Sequence, residues 1–195
     1  MPKRKIKEEK PRRRFGKKEM LIAPIAIGAG MLVTFIVIPT FFPPPRPTEV
    51  CLKALNRETF QLFPRIEILV DGHQKWLPDD VGRLPKHGQD CVRPIRTDQV
   101  GDVVHIEYVR AVRLNLADFM KVYTNGTNLI TVVDNSTKPA QTQVLNLTNY
   151  DVKYSYYSDQ GKWVYVDKPA DTPPFPTDNK LVERIELTSK PSTNK

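Results

Sequence analysis

His105 and Glu107 alternate in the run Val104-His-Ile-Glu107, so on an extended backbone their side chains share one face. An imidazole and a carboxylate placed this way are two ligands of a copper-type metal site, or a hydrogen-bonded pair of the kind common on strands. Two ligands do not complete a site, and His73 and His87 are the only further histidines that could add to them. The only thiols are Cys51 and Cys91. Paired, they would form a disulfide of the type used by exported domains; unpaired, they are two small buried groups. Three sequons, at Asn125, Asn135 and Asn146, crowd into 24 residues and fit a glycosylated outer surface.

The chemistry that is missing narrows the function classes. There is no Gly-x-Ser-x-Gly elbow, Gly-rich phosphate loop, His-Glu-x-x-His helix or Cys-x-x-Cys knuckle. Asp79 and Asp80 have no spacing that marks an acid/base couple. The chain therefore reads as a protein that is not an enzyme and carries no cofactor.

The elements that must position these groups begin with an uncharged run over residues 20–42, 23 in length. As a helix it would reach about 34 Å and cross a hydrocarbon core of about 30 Å. Residues 1–19 hold ten Lys and Arg against three acids, whereas residues 20–195 carry a balance of +1. A basic tail before an apolar span is retained in the cytoplasm, which predicts a single-pass signal anchor with the C-terminal domain outside the cell. Nucleic-acid binding by the tail is the competing reading, but no aromatics are interleaved to stack bases. A cleaved signal peptide would end in small residues, and this run ends Ile38-Pro-Thr-Phe-Phe42. Ala26 and Gly30 form a small-xxx-small pair that would admit a second helix.

The Pro-rich residues 43–48 predict a stiff linker in polyproline II. Residues 49–188 are then one extracytoplasmic domain, and residues 189–195 a disordered polar tail. The domain reads as mainly β, a sandwich or small barrel with one short helix. Ile66, Ile68 and Val70 alternate before Asp71-Gly72, and the chain returns over residues 73–77 as a hairpin. A second hairpin pairs residues 152–157 with 162–166; Tyr154, Tyr156, Trp163 and Tyr165 are its candidate core fillers or partner anchors. Shorter strands are expected over 103–109, 130–133, 143–147 and 181–187. Leu116, Phe119, Met120 and Tyr123 fall at helical spacing behind Asn115 as N-cap, and residues 168–176 read as a rigid surface loop.

Five blocks carry a resemblance: Ile68-Leu-Val-Asp-Gly72, Leu77-Pro-Asp-Asp-Val-Gly82, Cys91-Val-Arg-Pro-Ile95-Arg-Thr-Asp-Gln99, Val104-His-Ile-Glu107 and Leu116-Ala-Asp-Phe119. In order and spacing, over about 55 residues, they resemble a family of uncharacterised single-span exported proteins of archaea and some bacteria. In that family the third block typically reads Leu-His-Thr-His-Asp and runs on to His-Ile-Glu. Its His-x-His falls here on Arg96 and Asp98, which implies that any ligand set is lost or converted to an Arg96/Asp98 polar contact. The resemblance implies an accessory or structural subunit among other membrane or cell-surface proteins, a large membrane oxidoreductase being one such neighbour by analogy, with the lipid bilayer as its other partner.

Overall fold

The computed structural model describes residues 27, 28, 30–37, 46–52, 58–86 and 89–191. Two compact units, residues 1–45 and 46–195, divide the chain. In the first, residues 27, 28 and 30–32 are helical and Val33–Val37 forms a π-helical turn, with Ile27 and Phe35 exposed. Among the described residues no helix is long and apolar enough to cross a membrane. The rest of the expected span, the basic tail and residues 43–45 of the linker lie outside the described residues.

The second unit is mainly β. Its central sheet has the order β11–β10–β12–β2–β3, formed by Trp163–Val166, Tyr150–Tyr157, Val182–Ser189, Arg65–Val70 and His73–Lys75. All neighbours are antiparallel except β12 and β2, which pair in parallel from Val182↔Arg65 to Leu187↔Val70. The β2–β3 turn is Asp71-Gly72, both at positive φ (49° and 79°), the geometry that Asp-Gly favours between two right-twisted strands. Asp71 also accepts from the Ser189 amide (2.7 Å) and hydroxyl (2.6 Å), so the start of the expected C-terminal tail is pinned to the sheet.

A three-stranded antiparallel sheet, order β1–β7–β6, consists of Phe60–Leu62, His105–Tyr108 and Ile95–Arg96. Two hairpins complete the strands: β4 (Arg83–Lys86) with β5 (Gln89–Val92), and β8 (Leu129–Asp134) with β9 (Gln141–Asn146). Isolated bridges Arg65↔Val103, Leu77↔Gly101 and Trp76↔Val133 tie these pieces together. The helix α1, Leu116–Tyr123, starts at Asn115 in a full capping box: the Asn115 side chain accepts from the Ala117 and Asp118 amides, and Asp118 accepts from the Asn115 amide. Its buried side, with Leu116, Phe119 and Met120, packs into one core with Ile66, Ile68, Ile106, Ile130, Ile185 and Leu187.

Cys51 and Cys91 form a disulfide, bridging residues 40 apart and fastening the start of the domain to β5. On the chain-entropy account such a loop contributes about 4 kcal/mol. The loop over residues 168–176 is not wholly superficial. Thr172 and Phe175 are buried, and the Phe175 amide donates to the Leu114 carbonyl (2.8 Å), because the prolines around Phe175 direct its ring into the core beside α1. The four aromatics of the second hairpin also do not act together. In the β10–β11 register Tyr154 and Tyr156 face Val166 and Val164, while Trp163 and Tyr165 face Tyr157 and Ser155, so the two pairs lie on opposite faces.

Candidate functional site

The groups singled out on β6 and β7 meet in one buried cluster. Antiparallel pairing sets Arg96 opposite His105, and Glu107 follows two residues on along the same face. Arg96 and Glu107 are buried on this face while Ile106 points the other way into the core, so β7 is covered on both sides. The strand pair is held close from beneath by Gly82, whose added Cβ would stand 2.2 Å from the Ile95 carbonyl. Gly82 also has φ +77°, a backbone state that only glycine adopts without strain.

Arg96 is the centre of the cluster. Its Nη2 donates to Glu107 Oε2 (2.7 Å) and its Nε to Asp98 Oδ1 (2.9 Å). Asp98 Oδ2 lies 2.5 Å from His105 Nδ1, and Arg83 reaches Asp98 Oδ1 from the surface at 3.7 Å. Glu107 Oε1 accepts from the Glu58 amide (3.1 Å), which draws in the segment before β1. Phe63, just past β1, stacks on the His105 ring at 4.6 Å. Burial pushes the Asp98 carboxyl up, but the hydrogen bonds from His105 and Arg96 outweigh it and leave it below its ordinary value.

An ionised Asp98 fixes the proton on His105. Nδ1 must carry it in order to donate to Asp98, so the Arg96 Nη2 contact with Nδ1 at 3.0 Å is an approach of two donors and not a bond. Nε2 is buried and has no hydrogen-bond partner among the described residues. Two guanidinium groups, Arg96 and Arg83, face two carboxylates, Asp98 and Glu107. The carboxylates are taken up by Arg96, and a cation placed between His105 and Glu107 would meet that guanidinium. Among the described residues no three of His, Cys, Asp and Glu are placed to hold a metal ion.

The other candidates lie elsewhere. His73 is exposed on β3, at the edge of the five-stranded sheet, and His87 lies outside the described residues. Asp79 and Asp80 are exposed. Asn125, Asn135 and Asn146 are all at the surface, around the β8–β9 hairpin.

Two features were not singled out from the sequence. Glu183 on β12 is fully buried on the core face of the sheet, and neither carboxyl oxygen meets a donor among the described residues. Burial pushes its carboxyl up to about 8; Thr172 pulls the other way, but its hydroxyl donates to the Pro169 carbonyl (3.0 Å). No local pattern marks this carboxylate, because strand alternation registers a polar residue at an inward position only as a fault. The second feature is the joining of Arg184, Glu67 and Tyr157 to the expected anchors Trp163 and Tyr165 on the outer face of the same sheet. Arg184 lies 3.6 Å over the Trp163 ring and donates twice to Glu67 (2.8 and 3.0 Å), with Tyr157 packed edge-on against Trp163 and Tyr165 left exposed. Near it an open cleft of about 550 Å³ is lined by Tyr157, Asp159, Pro174 and Lys180, among others.

No family model, no curated protein and no solved structure matches the chain.

Proposed function

We propose that the chain is a membrane-anchored, extracytoplasmic accessory protein, a subunit or assembly partner of a larger membrane or cell-surface complex. The observation that carries this reading is the closed Arg96–Asp98–His105–Glu107 cluster. The side chains best suited to chemistry are bonded to one another, and their effect is to fasten β6, β7 and the chain before β1. A mutually bonded polar network of this kind, with both of its carboxylates engaged, adds specificity of fold rather than reactivity. The uncharged run over residues 20–42 behind a basic tail, and the Cys51–Cys91 bridge, support a tethered domain outside the cytoplasm. The bridges between the sheets support a sandwich or small barrel. The exposed Tyr157 and Tyr165 beside Trp163 are the kind of rigid aromatics that interfaces enrich.

Extraction of the full chain from its own membranes in mild detergent tests the assembly role. Co-recovery of other membrane proteins at fixed stoichiometry is the expected result, and recovery as a free monomer contradicts it. The copper-type reading has one observation in its favour, the unpartnered His105 Nε2. Elemental analysis separates the two readings: a stoichiometric metal lost in His105→Ala would replace the accessory role with metal binding.

A further inference from the structure

The β8–β9 hairpin has an open flank. Strand β9 pairs only with β8 among the described residues, which leaves six residues, about 20 Å of backbone, with one row of amides and carbonyls facing outward. Its outer face exposes two large apolar side chains among polar ones: Val144 is 64% exposed and Leu129 46%, beside Thr131, Thr142 and Asn146. An open edge of this kind beside exposed apolar side chains is a template for pairing with another chain, and β9 carries no lysine, proline or bulge of the sort that usually prevents it.

The three sequons surround this flank. Asn135 directly follows β8, Asn146 ends β9, and Asn125 lies in the turn that leads into β8. Asn146 sits directly opposite Leu129 in the ladder and two residues along from Val144, so all three share one face with Cβ atoms of the opposed pair about 5 Å apart. At this sequon the Asn146 Oδ1 accepts from the Thr148 amide (3.1 Å) and hydroxyl (2.8 Å), while Nδ2 has no hydrogen bond among the described residues. Asn125 is held the same way, its Oδ1 accepting from Arg93 (3.2 Å). In both cases the carboxamide oxygen is engaged, and among the described residues the nitrogen that would carry a sugar makes no hydrogen bond.

We infer that Asn125, Asn135 and Asn146 are N-glycosylation sites, and that the glycan on Asn146 covers the exposed Val144 and Leu129 and the open edge of the β8–β9 hairpin. The reaction joins Nδ2 to the anomeric carbon of a lipid-phosphate-linked oligosaccharide. The anomeric C–O bond breaks, the lipid phosphate leaves with its electron pair, and the amide proton passes to a base of the transferring enzyme. The inference rests on the outward placement of the domain proposed above.

Peptide mass spectrometry of the full chain isolated from its native membranes tests it. A glycopeptide is expected at each asparagine. Thr127→Ala, Thr137→Ala and Thr148→Ala should each remove one glycan, and the corresponding Thr→Ser changes should retain it, since only the hydroxyl is required. Losing the Asn146 glycan should raise self-association roughly tenfold, and adding Val144→Lys to Thr148→Ala should reverse this. Unmodified Asn146 in a chain whose Cys51–Cys91 bridge is formed overturns the inference alone. An unmodified chain with free thiols overturns the outward placement as well. A glycan lost from Asn146 with no change in self-association overturns the shielding role.

Discussion

Arg96 shows how one residue type converts a reactive spacing into a structural one. His105 and Glu107 stand on one face, as their alternation requires, but the guanidinium across the ladder binds the carboxylate and Asp98 binds the imidazole. Removing that guanidinium would take from Glu107, wholly buried, its 2.7 Å ion pair. Arg96→Met should therefore cost about 3–5 kcal/mol in urea unfolding of the domain, and adding Glu107→Leu should recover part of it. A loss below about 1 kcal/mol would mean that the cluster does not hold the strands. Glu183 gives a prediction of a different sign. Its folded-state value, raised by burial to about 8, exceeds its ordinary 4.5, so the folded protein holds a proton that the unfolded chain has released. Stability from this group is complete below about pH 4.5 and declines toward pH 8 by up to about 1.4 kcal/mol per unit. Asp71, Asp98 and Asp134, all lowered, act at the acid end and in the opposite sense: they stabilise above the ordinary carboxylate range, and that stability is lost as pH falls. Midpoint temperatures between pH 5 and 8 should fall in the wild type and flatten in Glu183→Gln; parallel profiles would contradict the assignment.

Elements with local signals were legible in the sequence, and those made by distant contacts were not. The β2–β3 hairpin followed from Asp71-Gly72, and α1 from its stripe and Asn115, because turn and cap chemistry act within four residues. Strands β1, β4, β5 and β6 escaped notice. They are two to four residues long, β4 contains Pro85, and they are held by partners far away, as β1 is by β7. The parallel β2–β12 pair joins residues more than a hundred positions apart and leaves no local trace. The site was legible to the same extent. The shared face of His105 and Glu107 and the Arg96–Asp98 contact were readable, whereas the Glu58 amide, Phe63 and Arg83 reach the cluster only through folding. Gly82 is where the elements depend on one position. Gly82→Ala should destabilise by about 2–4 kcal/mol, since it adds a 2.2 Å clash with the Ile95 carbonyl to the strain of positive φ. Gly161→Ala, at φ +73° with only the Tyr157 hydroxyl nearby at 3.6 Å, should cost about 1 kcal/mol. Equal costs in denaturant melts would show that the close approach behind Arg96 does not matter.

For the whole molecule, charge and chain direction carry the argument. The excess of basic residues lies before residue 20, the disulfide and all three sequons lie after residue 46, and a 23-residue uncharged run separates the two groups. The arrangement we propose accommodates all three: tail inside, residues 20–42 as the anchor, folded domain outside. The most direct measurement is protease treatment of sealed cells, with antibodies against each end of the chain. The account predicts that the C-terminal domain is trimmed away while the basic tail stays protected, and that both remain on one polypeptide before treatment. A C-terminal domain spared by the protease, or a mature chain without its first forty residues, would contradict it.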